Sequence, residues 1–149
     1  MNLFRVLEIS GSALLAERMR AEITSANLAN AETTRTEAGG PYQRMHVIFG
    51  ARPAPPSGPQ GFGMMLASFA DMHAEDVRVT GLVADPTPAV RRFAPGHPDA
   101  DAQGYVAYPA INPAEEMINL MGAARAYEIN ATAVSSTKNM IQTAIGLLS

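Results

Sequence analysis

N-P-A-E-E-M-I-N-L-M-G-A-A-R-A-Y-E-I-N-A-T-A-V-S-S-T-K-N-M-I-Q-T-A-I-G-L-L, from Asn112 to Leu148, decides the fold, because one helical stripe runs through all of it. Met117, Leu120, Ala124, Tyr127, Ala131, Val134, Lys138, Ile141, Ile145 and Leu148 follow at alternating steps of three and four, the heptad spacing of a helix seam. Only Lys138 interrupts the apolar run. Asn112 with Pro113 and Glu115 supplies an N-cap, a first-turn proline and a capping-box acid. A helix of roughly 36 residues is about 54 Å long, more than a small domain needs, so the stripe predicts packing against something else.

Working outward, Leu3 to about Asn30 also reads as helix. Leu7, Leu14, Ala21 and Leu28 recur every seven residues, Ile9, Ala16 and Ile23 form a second row, and Met19 with Ala26 a third. Gly11 weakens the early part by about 1 kcal/mol relative to alanine. Apolar and small residues thus go most of the way round, and the chain has too little else of helical character to cover them. Neighbouring subunits are the natural source of the missing surface.

Between the helices the pattern changes. AETTRTEAGGP, residues 31–41, is a break ending in the turn Gly39-Gly40-Pro41. YQRMHVIF, 42–49, reads as a strand, PAPPSGPQG, 53–61, as a loop or hairpin tip, and Glu75 to Ala84 as a second strand interrupted at Gly81. DPTPAV and APGHPDADAQG are proline-rich connections leading to a short strand or extended arm over Gly104 to Pro109. The expected fold class is α+β, mainly α: helix, small β-rich middle, long helix. The expected division is 1–35, 36–109 and 110–149.

Composition excludes several functions. A net charge of -3 with scattered arginines gives no footprint for nucleic acid or an anionic membrane, and zero cysteines exclude disulfides and thiolate chemistry. The start, MNLFRVLEIS, does not read as a cleavable secretory signal, since Glu8 interrupts its apolar stretch, and no run of eighteen apolar residues predicts a membrane span. His46, His73 and His97 lack zinc-ligand spacing, and Asp99-Ala100-Asp101 lacks the rest of a calcium loop. Gly61-Phe62-Gly63 lacks the third glycine of a dinucleotide fingerprint, and no nucleophile motif is present. No enzyme and no cofactor is expected. Glu115 and Glu116 are explained by the first-turn helix dipole. Lys138 has two readings: a stem covering apolar surface with its ammonium in water, or a register device paired with an acid of a neighbouring helix.

The run S-G-S-A-L-L-A-E-R-M-R-A-E-I-T-S-A-N-L-A-N-A-E-T-T-R-T, Ser10 to Thr36, with Gly40-Pro41-Tyr42 after it, resembles the N-terminal signature of bacterial flagellar rod and hook proteins. Its A-N-L-A-N-A core and T-T-R-T are most similar to the proximal-rod members. G-Y-V-A-Y-P-A-I-N-P-A-E-E-M-I-N-L-M-G, from Gly104 onward through the long helix, is similar to the second half of the same signature. The resemblance implies a structural subunit exported unfolded by the flagellar type III apparatus and polymerised in the periplasm into the shaft that carries torque. It implies that the terminal helices pair as a coiled-coil-like axial domain, with copies of the chain, other rod proteins, the export apparatus and surrounding ring proteins as partners. Asn27, Asn30, Thr33, Thr34 and Arg35 are then the matched signature positions, suited to capping and the following turn. The rival expectation from the residues alone is an adaptor or secretion chaperone binding partner helices in a groove, which would be strongly helical in dilute solution.

Overall fold

Strong helix formers at 3.6-residue period at both ends, and β-branched residues broken by Pro and Gly between them, give the element order helix, four strands, helix among the described residues. The computed structural model describes residues 3–51 and 77–147. The PAPPSGPQG tract, Gly61-Phe62-Gly63, His73, the first two residues of the second strand reading and Leu148 lie outside them.

Helix α1 spans Leu3–Ala29 and helix α2 Pro113–Gly146, 27 and 34 residues. The start of α2 is built as its sequence dictates. Asn112 is extended, its side-chain oxygen accepts the Ala114 N–H at 3.0 Å, and Pro113 occupies the first turn, where no N–H is needed. The two helices pack along each other antiparallel, Asn27 against Glu116 and Ala21 beside Ala123.

The face that α2 turns to α1 is one residue round from the apolar stripe. Its buried positions are Glu116, Ala123 and Thr137, matched on α1 by Ser10, Ala16, Thr24 and Asn27. Small residues let the axes approach closely. Polar ones are tolerated because their hydrogen bonds close locally: the Thr137 hydroxyl donates to the Ala133 carbonyl at 2.8 Å.

Strand β1 (Met45–Ala51) pairs antiparallel with β2 (Val77–Ala84), and β3 (Val90–Phe93) pairs antiparallel with β4 (Tyr105–Tyr108), giving two separate two-stranded sheets. The expected interruption at Gly81 is a bulge next to it. Ile48 faces Gly81 and Phe49 faces Val79, so Thr80 is the extra residue. Its hydroxyl donates to the Ile48 carbonyl at 3.1 Å, and its methyl fills the space beside Gly50, where a Cβ would stand only 2.5 Å away. Strand β3 was not expected from the sequence: it is flanked by Pro86, Pro88 and Pro95, and its Val90 fell in the DPTPAV connection. It is held by side chains, with Phe93 edge-on to Tyr105 at 5.4 Å and the Arg92 guanidinium 4.8 Å over the Tyr108 ring.

The buried apolar side chains among the described residues include Ala16, Ala31, Val106, Ile111 and Ala123. That is a meagre core for two helices of this length. Many large apolar side chains are exposed instead, among them Leu15, Ile118 and Ile129.

Candidate assembly interface

The end of α1 is tied to the rest of the molecule by a buried polar clasp. Asn27, on the last turn of α1, is 2% exposed. Its Nδ2 donates to the Met45 carbonyl at 2.8 Å and to Glu116 Oε2 at 3.2 Å. Its Oδ1 accepts the Met45 N–H at 2.9 Å and the Tyr42 hydroxyl at 3.1 Å. The Arg44 guanidinium pairs with Glu116 Oε1, which satisfies the second oxygen of a carboxylate only 1% exposed. Burial and the negative Glu116 beside it push the Tyr42 phenol above its ordinary pKa.

The turn after α1 brings these groups together. Gly39 and Gly40 adopt φ of 84° and 80°, left-handed values suited to glycine, and the chain folds back so that the Tyr42 N–H reaches the Thr33 carbonyl at 3.0 Å. The matched signature residues act there. The Asn30 amide donates to the Ala26 carbonyl at 2.9 Å and its oxygen accepts from the Thr33 hydroxyl at 3.1 Å, so Asn30 and Thr33 close the helix end. Thr34 donates to Asp99 at 2.8 Å and Arg35 stands 3.7 Å from the same carboxylate, so this pair anchors the loop between β3 and β4. Asp99 and Asp101 are not left free for a cation. Asp101 accepts the Tyr105 and Gln103 N–H groups and pairs with Arg91; the Tyr105 N–H does most to hold its carboxyl below the usual range.

His46 is half-exposed on β1, 3.0 Å from Asp85. The Thr87 hydroxyl, then His46, hold the Asp85 carboxyl well below the ordinary carboxylate range.

Of the apolar stripe read from sequence, Met117, Ala124, Tyr127, Lys138 and Ile145 are exposed on the subunit, whereas Leu120, Ala131, Val134 and Ile141 are half-buried beside α1. Leu7, Leu14 and Leu28 are likewise half-buried. A further outward row, Ile118, Met121, Ile129 and Met140, lies bare on α2, and Phe4 and Leu15 on α1. Sequence reasoning missed that row and the burial of Glu116. The step of eleven from Ile118 to Ile129 to Met140 was the available signal for the row, whereas Glu116 is indistinguishable from a dipole-compensating first-turn acid. Lys138 makes no ion pair among the described residues. No described helix is long and apolar enough to cross a membrane.

A helix pair that exposes so many large apolar side chains is organised for assembly. Residues 7–35 match the family model described as flagella basal body rod protein, and residues 102–147 match the C-terminal model of flagellar basal body rod FlgEFG proteins. The chain is 36% identical to the flagellar basal-body rod protein FlgC of Borreliella burgdorferi over 99% of both chains. It is 35% identical to that of Bacillus subtilis over 97% of each. With FlgC of Yersinia enterocolitica it shares 32% identity over 95% of this chain and 94% of that one. The chain therefore belongs to the family of flagellar basal-body rod proteins FlgC, structural subunits of the rod and not enzymes.

Proposed function

We propose that this chain is exported by the flagellar type III apparatus and polymerises in the periplasm into the proximal part of the drive shaft that carries torque. Its partners are other components of the basal body: copies of itself, other rod proteins and, around them, ring proteins. Segments 1–35 and 110–149 serve as the axial unit and 36–109 as an outer arm. One observation carries the reading: the helix pair buries Ala16, Thr24, Ala123 and Thr137, while Leu15, Ile118, Met121, Ile129 and Met140 are exposed. Apolar faces on several sides of one subunit are covered by heterologous contacts repeated along a screw, which build a shaft. A chain with so little core of its own also stays unfolded cheaply before its neighbours arrive, which suits export.

The matched signature positions Asn27, Asn30, Thr34 and Arg35 serve this assembly by fixing the outer arm to the axial pair. Met117, Ala124, Tyr127, Lys138 and Ile145 serve it as contact surface. A chain ending at Asn139, lacking Met140, Ile145 and Leu147, is expressed but builds no rod; complete rods in basal bodies purified from such a strain would refute the proposal.

A further inference from the structure

Glu8 on α1 and Arg125 on α2 each stand within an outward apolar row. Among the described residues neither Glu8 nor Arg125 makes a hydrogen bond or ion pair, and both are exposed. Each lies between two exposed apolar side chains. On α1 the order is Phe4, Glu8, Leu15, at steps of four and seven; on α2 it is Ile118, Arg125, Ile129, at steps of seven and four. The four apolar residues are 72%, 70%, 69% and 69% exposed, in that chain order. Eleven residues are close to three full helical turns, so each apolar pair shares a face, and a step of four keeps the charge on it. Run in opposite directions, the two rows match: Phe4 with Ile129, Glu8 with Arg125, Leu15 with Ile118.

Within one subunit these rows do not meet. The helices bury their Ala16 and Ala123 sides against each other, and the contact of Asn27 with Glu116 sets a register about ten residues away. We infer that the outward row of α1 docks antiparallel on the outward row of α2 of a second copy of this chain, with Glu8 against Arg125 at the centre. The inference rests on the rod reading and specifies its contact. Two different faces join, so the contact is heterologous and repeats rather than closing on itself. The difference in register offsets adjacent copies by roughly 15 Å along the helix axis. Apolar pairs on either side shield the charges from water, and the single opposite-sign match selects this register over its neighbours.

The chain has no cysteine, so introduced ones report alone. Full-length Glu8→Cys and Arg125→Cys chains, co-expressed in place of the native one, are expected to give a disulfide-linked dimer in oxidised basal bodies, and neither alone is. Basal bodies that hold both variants yet give no dimer overturn the docking and leave the rod reading intact, and a dimer from either variant alone overturns the antiparallel pairing. Should the cysteine chains fail to enter basal bodies, charge exchange decides. Glu8→Arg and Arg125→Glu each lower incorporation about tenfold, and together they restore most of it; no restoration overturns the docking. A native chain absent from basal bodies contradicts the rod reading itself.

Discussion

Asn27 holds Met45 by both of its backbone groups, donating to the carbonyl at 2.8 Å and accepting the N–H at 2.9 Å. A helix side chain thus substitutes for a neighbouring strand at the first residue of β1, and it fixes where the hairpin leaves the helix pair. Asn27→Ala leaves the Met45 groups and the Tyr42 hydroxyl without that partner, at about 1–3 kcal/mol for each group left unsatisfied. Asn27→Asp is worse, because an acceptor replaces the donor facing the Met45 carbonyl and Glu116. Urea release of the subunit from purified basal bodies should shift to lower concentration with Ala and lowest with Asp.

Arg44, half-buried, pairs with the buried Glu116, and breaking one side costs more than removing both. Glu116→Leu strands the guanidinium at about 3–5 kcal/mol, whereas Glu116→Leu with Arg44→Met recovers most of that loss. The same urea assay, run as a double-mutant cycle, should show strong non-additivity. Additive losses would mean that the pair is not coupled.

The raised Tyr42 pKa gives an alkaline limit. The phenol stays neutral in the folded clasp at pH values where the unfolded chain, near its ordinary 10.0, ionises. Its contribution is therefore fully present below about pH 10 and is lost as pH rises from there through the raised folded value. Tyr42→Phe should flatten that part of the pH dependence of rod dissociation while leaving neutral pH behaviour largely intact.

The seam between the helices tolerates no added volume. Ala123 is 0% exposed, so Ala123→Leu should destabilise the pair by about 1–3 kcal/mol through overpacking. Lys138, exposed and without an ion pair among the described residues, is the contrast: Lys138→Met should change stability by no more than about 0.5 kcal/mol. If it also leaves rod length and incorporation unchanged, a register role for Lys138 is excluded.

Both helices, the Asn112 cap and the Gly39-Gly40 turn were legible because each is written in local residues. The seam was only half legible. Periodicity located the apolar stripe but not its use, and the helices pair one residue round, through Glu116, Ala123 and Thr137, leaving Met117, Ala124 and Lys138 outside. A globular protein buries its large side chains, so the pattern misleads when the partner is another molecule. The clasp was not legible, because its bonds join Asn27 to residues 18 and 89 positions away. Asn27 read as a local cap and Glu116 as a dipole acid. Strand β3 was hidden by its prolines and held by ring and guanidinium contacts that sequence spacing does not announce.

The rod proposal requires that neighbours cover the outward apolar row of α2. Ile129→Cys in this cysteine-free chain measures it directly, by maleimide labelling of the free chain and of intact basal bodies. Rapid labelling of the free chain and protection in basal bodies, reversed when the rod is dissociated, is the result expected from a residue 69% exposed on the subunit. Equal labelling in both states, with the variant fully incorporated, would show that this row is not an interface in the rod.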